Sequence, residues 1–270
     1  MDLKLKNHNV LITGAASGIG LATAKLFAEE GCTLQLWDIA SEVHEVANQF
    51  RSEGVLAEAA IVDLGDFQAT EHATQQAAES VPSRGIDHVV HCAAIGSGKF
   101  GFPFTQLSPE DWKRTLDINI LGMVHVAHAL TPWMIERRRG TFVFLASIAG
   151  QIGSQTDPPY SASKAANINF AQCMAKDLAQ HNIRVNTVCP GMVKTPLNRS
   201  VWQAWHDRTP ADQRLSYEVW AENKIKSAVP LGRWQTCEDI AAMIVFLSSD
   251  RAGEVTGQTI NVDGGFVMHW

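Results

Sequence analysis

Cysteine is sparse in this chain and shows no pattern. Five cysteines (Cys32, Cys92, Cys173, Cys189, Cys237) are scattered through 270 residues without a C-x-x-C pair. The odd count and the spacing argue against a disulfide framework or a zinc ribbon, and a reducing cytoplasm is the expected setting. Basic residues are outnumbered as well: 22 Lys and Arg against 28 Asp and Glu give a net charge of −6. A nucleic-acid surface would be basic, so no nucleic-acid partner is expected. No apolar run approaches the length of a membrane span, so no membrane partner is expected either. The segment Met1-Asp2-Leu3-Lys4-Leu5-Lys6 lacks the apolar centre of a signal peptide. No linker, composition break or repeat divides the chain, so residues 1–270 are expected to form a single domain.

What is present is an alternation of short apolar runs and helical patterns. Val10-Leu11-Ile12 is a buried strand by composition, and Thr13-Gly14-Ala15-Ala16-Ser17-Gly18-Ile19-Gly20 follows at once. Ile19, Ala22, Thr23, Leu26 and Phe27 then recur at helical spacing, up to Gly31. Strand, glycine turn, helix is a setting that binds phosphate: glycine permits close backbone approach, and free N–H groups at the helix start favour an anion.

A second strand, Leu34 to Asp38, ends in an acid 18 residues beyond Gly20. There a carboxylate can accept from an adenosine ribose and repel a 2′-phosphate. No Lys or Arg lies in the glycine turn, so NAD is expected over NADP.

Further strands are expected at 57–62, 86–91, 141–145, 183–188 and 258–262. Helices are expected at 42–53, 67–81, from Ser108-Pro109-Glu110 onward with Ser as cap, at 160–179 and at 238–247 behind Thr236. Regular alternation implies a doubly wound parallel sheet of about seven strands, with helices on both faces. Asp38, Asp63, Ala94, Ser147 and Gly191 then all fall at strand carboxyl ends, where such sheets bind ligands.

Tyr160 and Lys164 are four apart, which on a helix places them one turn apart on one face. A free tyrosine, with a pKa near 10, is a poor base at neutral pH. An ammonium at ~4 Å supplies roughly the 4 kcal/mol needed to bring it to about 7. Lys164 could therefore make Tyr160 a proton carrier.

Taken together and in order, these residues resemble the classical short-chain dehydrogenase/reductases over about 7–267. The resemblance rests on Thr13-Gly14-x-x-x-Gly18-x-Gly20, Asp63-Leu64, Asn119, Ser147, Tyr160-x-x-x-Lys164, Pro190-Gly191-x-Val193-x-Thr195 and Asp263-Gly264-Gly265. It implies a Rossmann-type fold and a catalytic set of Asn119, Ser147, Tyr160 and Lys164. Tyr160 would be the acid/base, Lys164 would hold the nicotinamide ribose and lower the tyrosine pKa, and Ser147 would orient the substrate oxygen. Asn119 would fix a helix distortion and a water linking Lys164 to solvent. Gly14, Ser17, Gly18, Ile19 and Gly20 would wrap the pyrophosphate, Asp63 and Leu64 border the adenine, and Thr195 bind the carboxamide. Ala93, Ala94, Pro190, Gly191 and Val193 complete the cofactor set.

The chain departs from the family at Cys92-Ala93-Ala94, where Asn-Ala-Gly is usual. Cys92 should weaken a tie between strands, and Ala94 asks for φ below zero or a slight shift of the adenosine half.

Residues 195–229 fit no strand and correspond to the family's substrate lid. Trp202, Trp205, Tyr217 and Trp220 lie there, with Arg199, His206 and Arg214 between them. They form either an aromatic-walled pocket or the packing of the lid onto the body. Gln151, Ile152 and Gln155 are expected on the opposite wall, and Phe100, Phe102 and Phe104 at the entrance. His125-x-x-His128 could mimic metal ligands but lacks a third, so no metal is expected. Arg137-Arg138-Arg139 suits a helix C-terminus. The apolar tail Phe266 to Trp270 is expected to dock, on its own subunit or near a neighbour's pocket. The resemblance implies a homotetramer (or a homodimer) acting on a small alcohol or ketone. The expected activity is NAD-dependent interconversion of a secondary alcohol, such as a diol, sugar or cyclic alcohol, and its ketone. An NADPH-dependent 3-oxoacyl-thioester reductase and a dinucleotide-sensing scaffold are the alternatives.

Overall fold

Seven short apolar segments become strands because each can be covered on both faces. In the computed structural model, which describes residues 1–80 and 85–269, they are β1 (Asn9–Thr13), β2 (Thr33–Asp38), β3 (Ala57–Ile61), β4 (His88–His91), β5 (Gly140–Leu145), β6 (Ile183–Pro190) and β7 (Thr259–Val262). They form one parallel sheet in the order β3-β2-β1-β4-β5-β6-β7. Side chains alternate between two cores: Val10, Ile12, Val90 and Val143 enter one, and Leu11, Val89, Phe142 and Phe144 the other. Burying each such side chain contributes about 1.5–3 kcal/mol, which is why these runs show little polar alternation.

Helices α1 (Gly18–Glu29), α2 (Val43–Ser52) and α8 (Cys237–Ser248) cover the first face, through Ala24, Phe27, Ala47, Ile240 and Ile244. Helices α3 (Phe67–Ser80), α4 (Glu110–Arg137) and α5 (Pro158–Leu178) cover the second, through Ala73, Met123, Val126, Ala171 and Met174. The chain leaves β1 towards β2 on one side and returns as β4 on the other. The crevice of an open sheet falls at that reversal. Helices α6 (Pro196–Arg208) and α7 (Tyr217–Ala228) occupy the expected lid segment.

Some boundaries differ from the sequence expectation. Val81, expected to end α3, lies outside the described residues. Helix α5 begins two residues before Tyr160: Asp157 accepts from the Tyr160 N–H at 3.4 Å, and prolines occupy the first turn. Ser108 precedes α4 as expected, but its N–H and hydroxyl both donate to Asp111, at 2.8 and 3.2 Å, so it does not cap by accepting a backbone N–H. One helix departs from the expectation that no apolar run approaches membrane length. α4 is long and apolar enough to cross a bilayer by length and composition, although polar residues interrupt it. Met123, Val126, Leu130 and Met134 within it are buried in the sheet core. The arginines after α4 have specific partners besides the dipole: Arg137 pairs with buried Asp87 at 2.6 Å, and Arg138 closes the helix in the left-handed region.

Candidate active site

A cavity of about 770 Å³ opens along the carboxyl ends of the strands. That volume lies in the range that holds small ligands and cofactors. Every residue expected to contact a dinucleotide lines it: Gly14, Ser17, Gly18, Ile19, Gly20, Asp38, Asp63, Leu64, Ala93, Ala94, Tyr160, Lys164, Pro190, Gly191, Val193 and Thr195.

The glycine turn shows why glycine is required. Gly14 has φ +67°, and a Cβ there would meet the Ala93 nitrogen at 2.9 Å; Gly18 has φ +55°. Ser17 is extended at the start of α1 and its side chain makes no cap bond, so the first N–H groups of that helix lack a side-chain acceptor. Asp38 is fixed beside this turn, since its carboxylate accepts from the Ala16 N–H at 2.9 Å and the Ala40 N–H at 3.0 Å. Each oxygen keeps a further lone pair for a ribose hydroxyl. Asp63 accepts from the Gly65 N–H at 2.9 Å, which holds Leu64 at the cavity wall. These observations fit an adenine dinucleotide in this half of the cleft.

At Cys92 the strand tie is rerouted. Among the described residues the buried thiol makes no hydrogen bond, and burial pushes its pKa up to about 12. The Thr13 hydroxyl instead accepts from the Ala93 N–H at 3.2 Å and bonds His91 Nδ1 at 3.0 Å. Ala94 stays outside the left-handed region, as its side chain requires.

Asn119 sits in a π-turn, Asp117–Leu121, within α4 and is fully buried. Its side chain accepts from the Ile95 N–H and donates to the Ile95 carbonyl, both at 2.8 Å, and donates to Ser163 Oγ at 3.0 Å. The widened turn thus ties the loop after β4 to the Tyr160 helix. With its amide oriented to match its neighbours, Asn167 donates to the Asn119 carbonyl at 2.9 Å.

Ser147 follows β5, and its Oγ accepts from the Ala149 N–H at 3.1 Å. The Tyr160 ring is half-buried and faces the cleft. Burial raises its pKa above the usual tyrosine value, and a hydrogen bond from Ser147 works in the opposite direction. The expected lowering by Lys164 is not found. The ammonium lies 5.5 Å from the ring centre and donates to the Leu145 carbonyl at 2.7 Å, and burial pulls its own pKa down to about 8. A Coulomb argument from sequence counts the charge and omits the desolvation of both groups.

The substrate half corrects several expectations. Ile152 lines the cavity, but Gln151 and Gln155 do not. A 3₁₀ turn at Ile148–Gly150 swings Gln151 towards β7, where it pairs with Asn261 at 2.7 and 3.0 Å; Gln155 is exposed. Trp202 and Trp205 also miss the cavity and pack with Tyr217 and Trp220 inside the lid, and the Trp202 indole donates to the Leu215 carbonyl at 3.2 Å. The lid faces the cavity with Leu197, Asn198, Val201, Lys224 and Ser227. Phe100 lines the cavity, Phe102 stacks under Arg208 and Phe104 is exposed. His125 shares a hydrogen bond with the Leu64 carbonyl at 2.7 Å. Within the chain, Asp263 accepts from the Val267 N–H of the tail at 2.7 Å, and Phe266 lines the cavity. Trp270 lies outside the described residues. Asn198, Lys224 and Asp157 are among the lining residues that the sequence did not single out; only Asp157, ahead of two prolines, carried a local signal, that of a helix cap.

The chain belongs to the short-chain dehydrogenase/reductase family: the family model described as enoyl-(acyl carrier protein) reductase matches residues 14–267. Within that family it is an NAD(P)-binding oxidoreductase on a Rossmann-type fold. It is 32% identical over 267 residues to the 3-oxoacyl-[acyl-carrier-protein] reductase FabG of Thermotoga maritima, covering 98% of this chain and 100% of the relative. L-sorbose reductase of Gluconobacter frateurii, solved with NADPH and L-sorbose, superposes with a TM-score of 0.90 at 28% identity and full coverage of both chains. An NAD⁺-bound xylitol dehydrogenase superposes with a TM-score of 0.88 at 30% identity, covering 97% of this chain and 100% of its own.

Proposed function

We propose that this protein is an NAD-dependent oxidoreductase that interconverts the secondary alcohol of a polyol, sugar or cyclic alcohol and its ketone. The observation that carries the reading is that Asp38, Ser147, Tyr160 and Lys164 line one cavity. Bound there, the dinucleotide supplies the hydride acceptor or donor. The chain's own groups handle the proton. Ser147 and Tyr160 hold the substrate oxygen between two hydroxyls. Tyr160 takes the proton of an alcohol, or gives one to a ketone. Lys164 holds the nicotinamide ribose, and Asn119 keeps the helix bearing Tyr160 in register with the loop after β4. Asp38 favours a ribose over a 2′-phosphate and so favours NAD.

The test is an absorbance screen of NADH formation across diols, sugars and cyclic alcohols, with Tyr160→Phe as the blank and NADP in parallel. Equal turnover by Tyr160→Phe would remove the assigned role. A second reading, a 3-oxoacyl-thioester reductase using NADPH, is favoured by the similarity to FabG. Turnover of an acetoacetyl thioester with NADPH in preference to NADH would select it.

A further inference from the structure

The reading above leaves the substrate class open, and the lid narrows it. Lys224 lines the cavity from α7, together with Ser227 one turn later. Its ammonium stands 4.3 Å over the Trp220 ring, one turn earlier on the same helix. The side chain is therefore held against an aromatic face, half-buried. Among the described residues no carboxylate pairs with it, and Glu222 on the same helix is engaged by Lys226 at 2.7 Å. Burial lowers the Lys224 pKa, and no neighbouring charge offsets that cost. From α6, Asn198 also lines the cavity. Its side-chain oxygen accepts from the Tyr217 hydroxyl at 2.9 Å, so its NH₂ group is what remains to offer a ligand. The lid thus brings to the cleft a partly desolvated cation and an amide N–H donor, while the Ser227 hydroxyl donates to the Lys224 carbonyl at 3.0 Å.

We propose that Lys224, with the Asn198 amide, holds a carboxylate of the substrate, so that the protein acts on hydroxy acids and their keto forms in preference to neutral polyols. The inference rests on the proposed reaction and specifies its substrate. A carboxylate repays the desolvation of the lysine, and a neutral hydroxyl in the same place does not.

The experiment pairs each acid with a neutral counterpart: D-gluconate with D-glucitol, tartrate with threitol, and 3-hydroxybutyrate with 2-butanol. Binding to the NADH-saturated protein, a dead-end complex that does not turn over, is measured by calorimetry. Turnover with NAD is measured in parallel. At least one acid should bind tenfold or more tightly than its counterpart. Lys224→Met should erase that ratio, and Lys224→Arg, which keeps the charge, should retain most of it. A ratio near one in the wild type, or a ratio untouched by Lys224→Met, would overturn the inference. So would a parallel loss of NADH affinity in Lys224→Met, which would assign the ammonium to a cofactor phosphate. Turnover of the neutral alcohols alone would leave the proposed reaction standing without the carboxylate. If neither series turns over with either dinucleotide, the proposed reaction fails, and the calorimetric ratio still decides the role of Lys224.

Discussion

The Lys164 ammonium donates to the main-chain carbonyl of Leu145 at 2.7 Å, from a side chain that is 1% exposed. This contact anchors the helix that carries Tyr160 to the end of β5, one residue before the Ala146-Ser147 turn. It also places a cation where the fold alone would not choose one. The pKa falls from 10.5 to about 8, which at about 1.4 kcal/mol per unit is roughly 3 kcal/mol of strain on the charged form.

Lys164→Met should therefore cost activity and gain stability. Because the folded-state pKa is depressed, the unfolded chain holds the proton more tightly between about 8 and 10.5, and wild-type stability rises with pH through that window. The advantage of the methionine variant should be largest below about pH 8 and shrink above it. Thermal melts at two pH values, beside an NAD turnover assay, check this. A variant less stable than wild type at neutral pH would show that the Leu145 bond outweighs the buried charge.

Asp38 should set cofactor choice. Asp38→Ser removes the charge that faces a 2′-phosphate and keeps a small side chain able to accept from the Ala16 N–H. The NADP:NAD ratio of kcat/KM should rise by at least about tenfold. An unchanged ratio would place the discrimination elsewhere in the cleft.

The cofactor half of the site was legible in the sequence for a physical reason. Gly14 beside Ala93 and Asp38 at the end of β2 are demanded by backbone geometry at strand ends, and strand ends are visible in the apolar pattern. The substrate half was not legible in the same way. An indole on a helix can face the cavity or its neighbours, and nothing local in Trp202 or Trp205 distinguishes the two. Gln151 was misplaced because the 3₁₀ turn after Ser147 leaves no hydrophobic period to read. The direction of the Tyr160 pKa shift was misjudged because burial has no signature in the spacing of two residues.

Acid stability should be governed by the foot of the sheet, far from the cavity. His88 is buried, shares a hydrogen bond with His8 at 2.9 Å and another with the Thr141 hydroxyl at 2.8 Å, and stacks on Phe27. Burial holds its pKa well below the ordinary value, and His8, Arg139, Arg184 and Arg137 push the same way. Burial and Arg139 lower the His8 pKa as well, and Asp87 offsets them only in part. The folded form refuses a proton that the unfolded chain accepts, so stability should fall as pH drops below about 6.5. His88→Gln should flatten that decline between about pH 6.5 and pH 4.5 in chemical denaturation curves. An acid limb of unchanged slope would shift the cause to the carboxylates.

The lid separates packing from specificity at adjacent positions. Trp205 packs against Trp220, with ring centres 6.3 Å apart, and stays off the cavity, whereas Val201, one turn earlier on α6, lines it. Trp205→Ala should cost about 1–3 kcal/mol of lid stability, less than a fully buried tryptophan because the ring is half-buried. Its kinetic effect should be a similar rise in KM for large and small substrates alike, because a loosened lid closes poorly on anything. Val201 also touches the lid's aromatic cluster, so Val201→Phe should change hydrogen exchange in the lid less than Trp205→Ala does, and it should raise KM mainly for the bulkier member of any substrate pair, because the added ring occupies cavity volume. If instead Trp205→Ala shifted the preference between large and small substrates and left lid exchange unchanged, the indole would belong to the pocket wall, and the division of α6 into a cavity-lining first half, Pro196 to Val201, and a packed second half would be wrong.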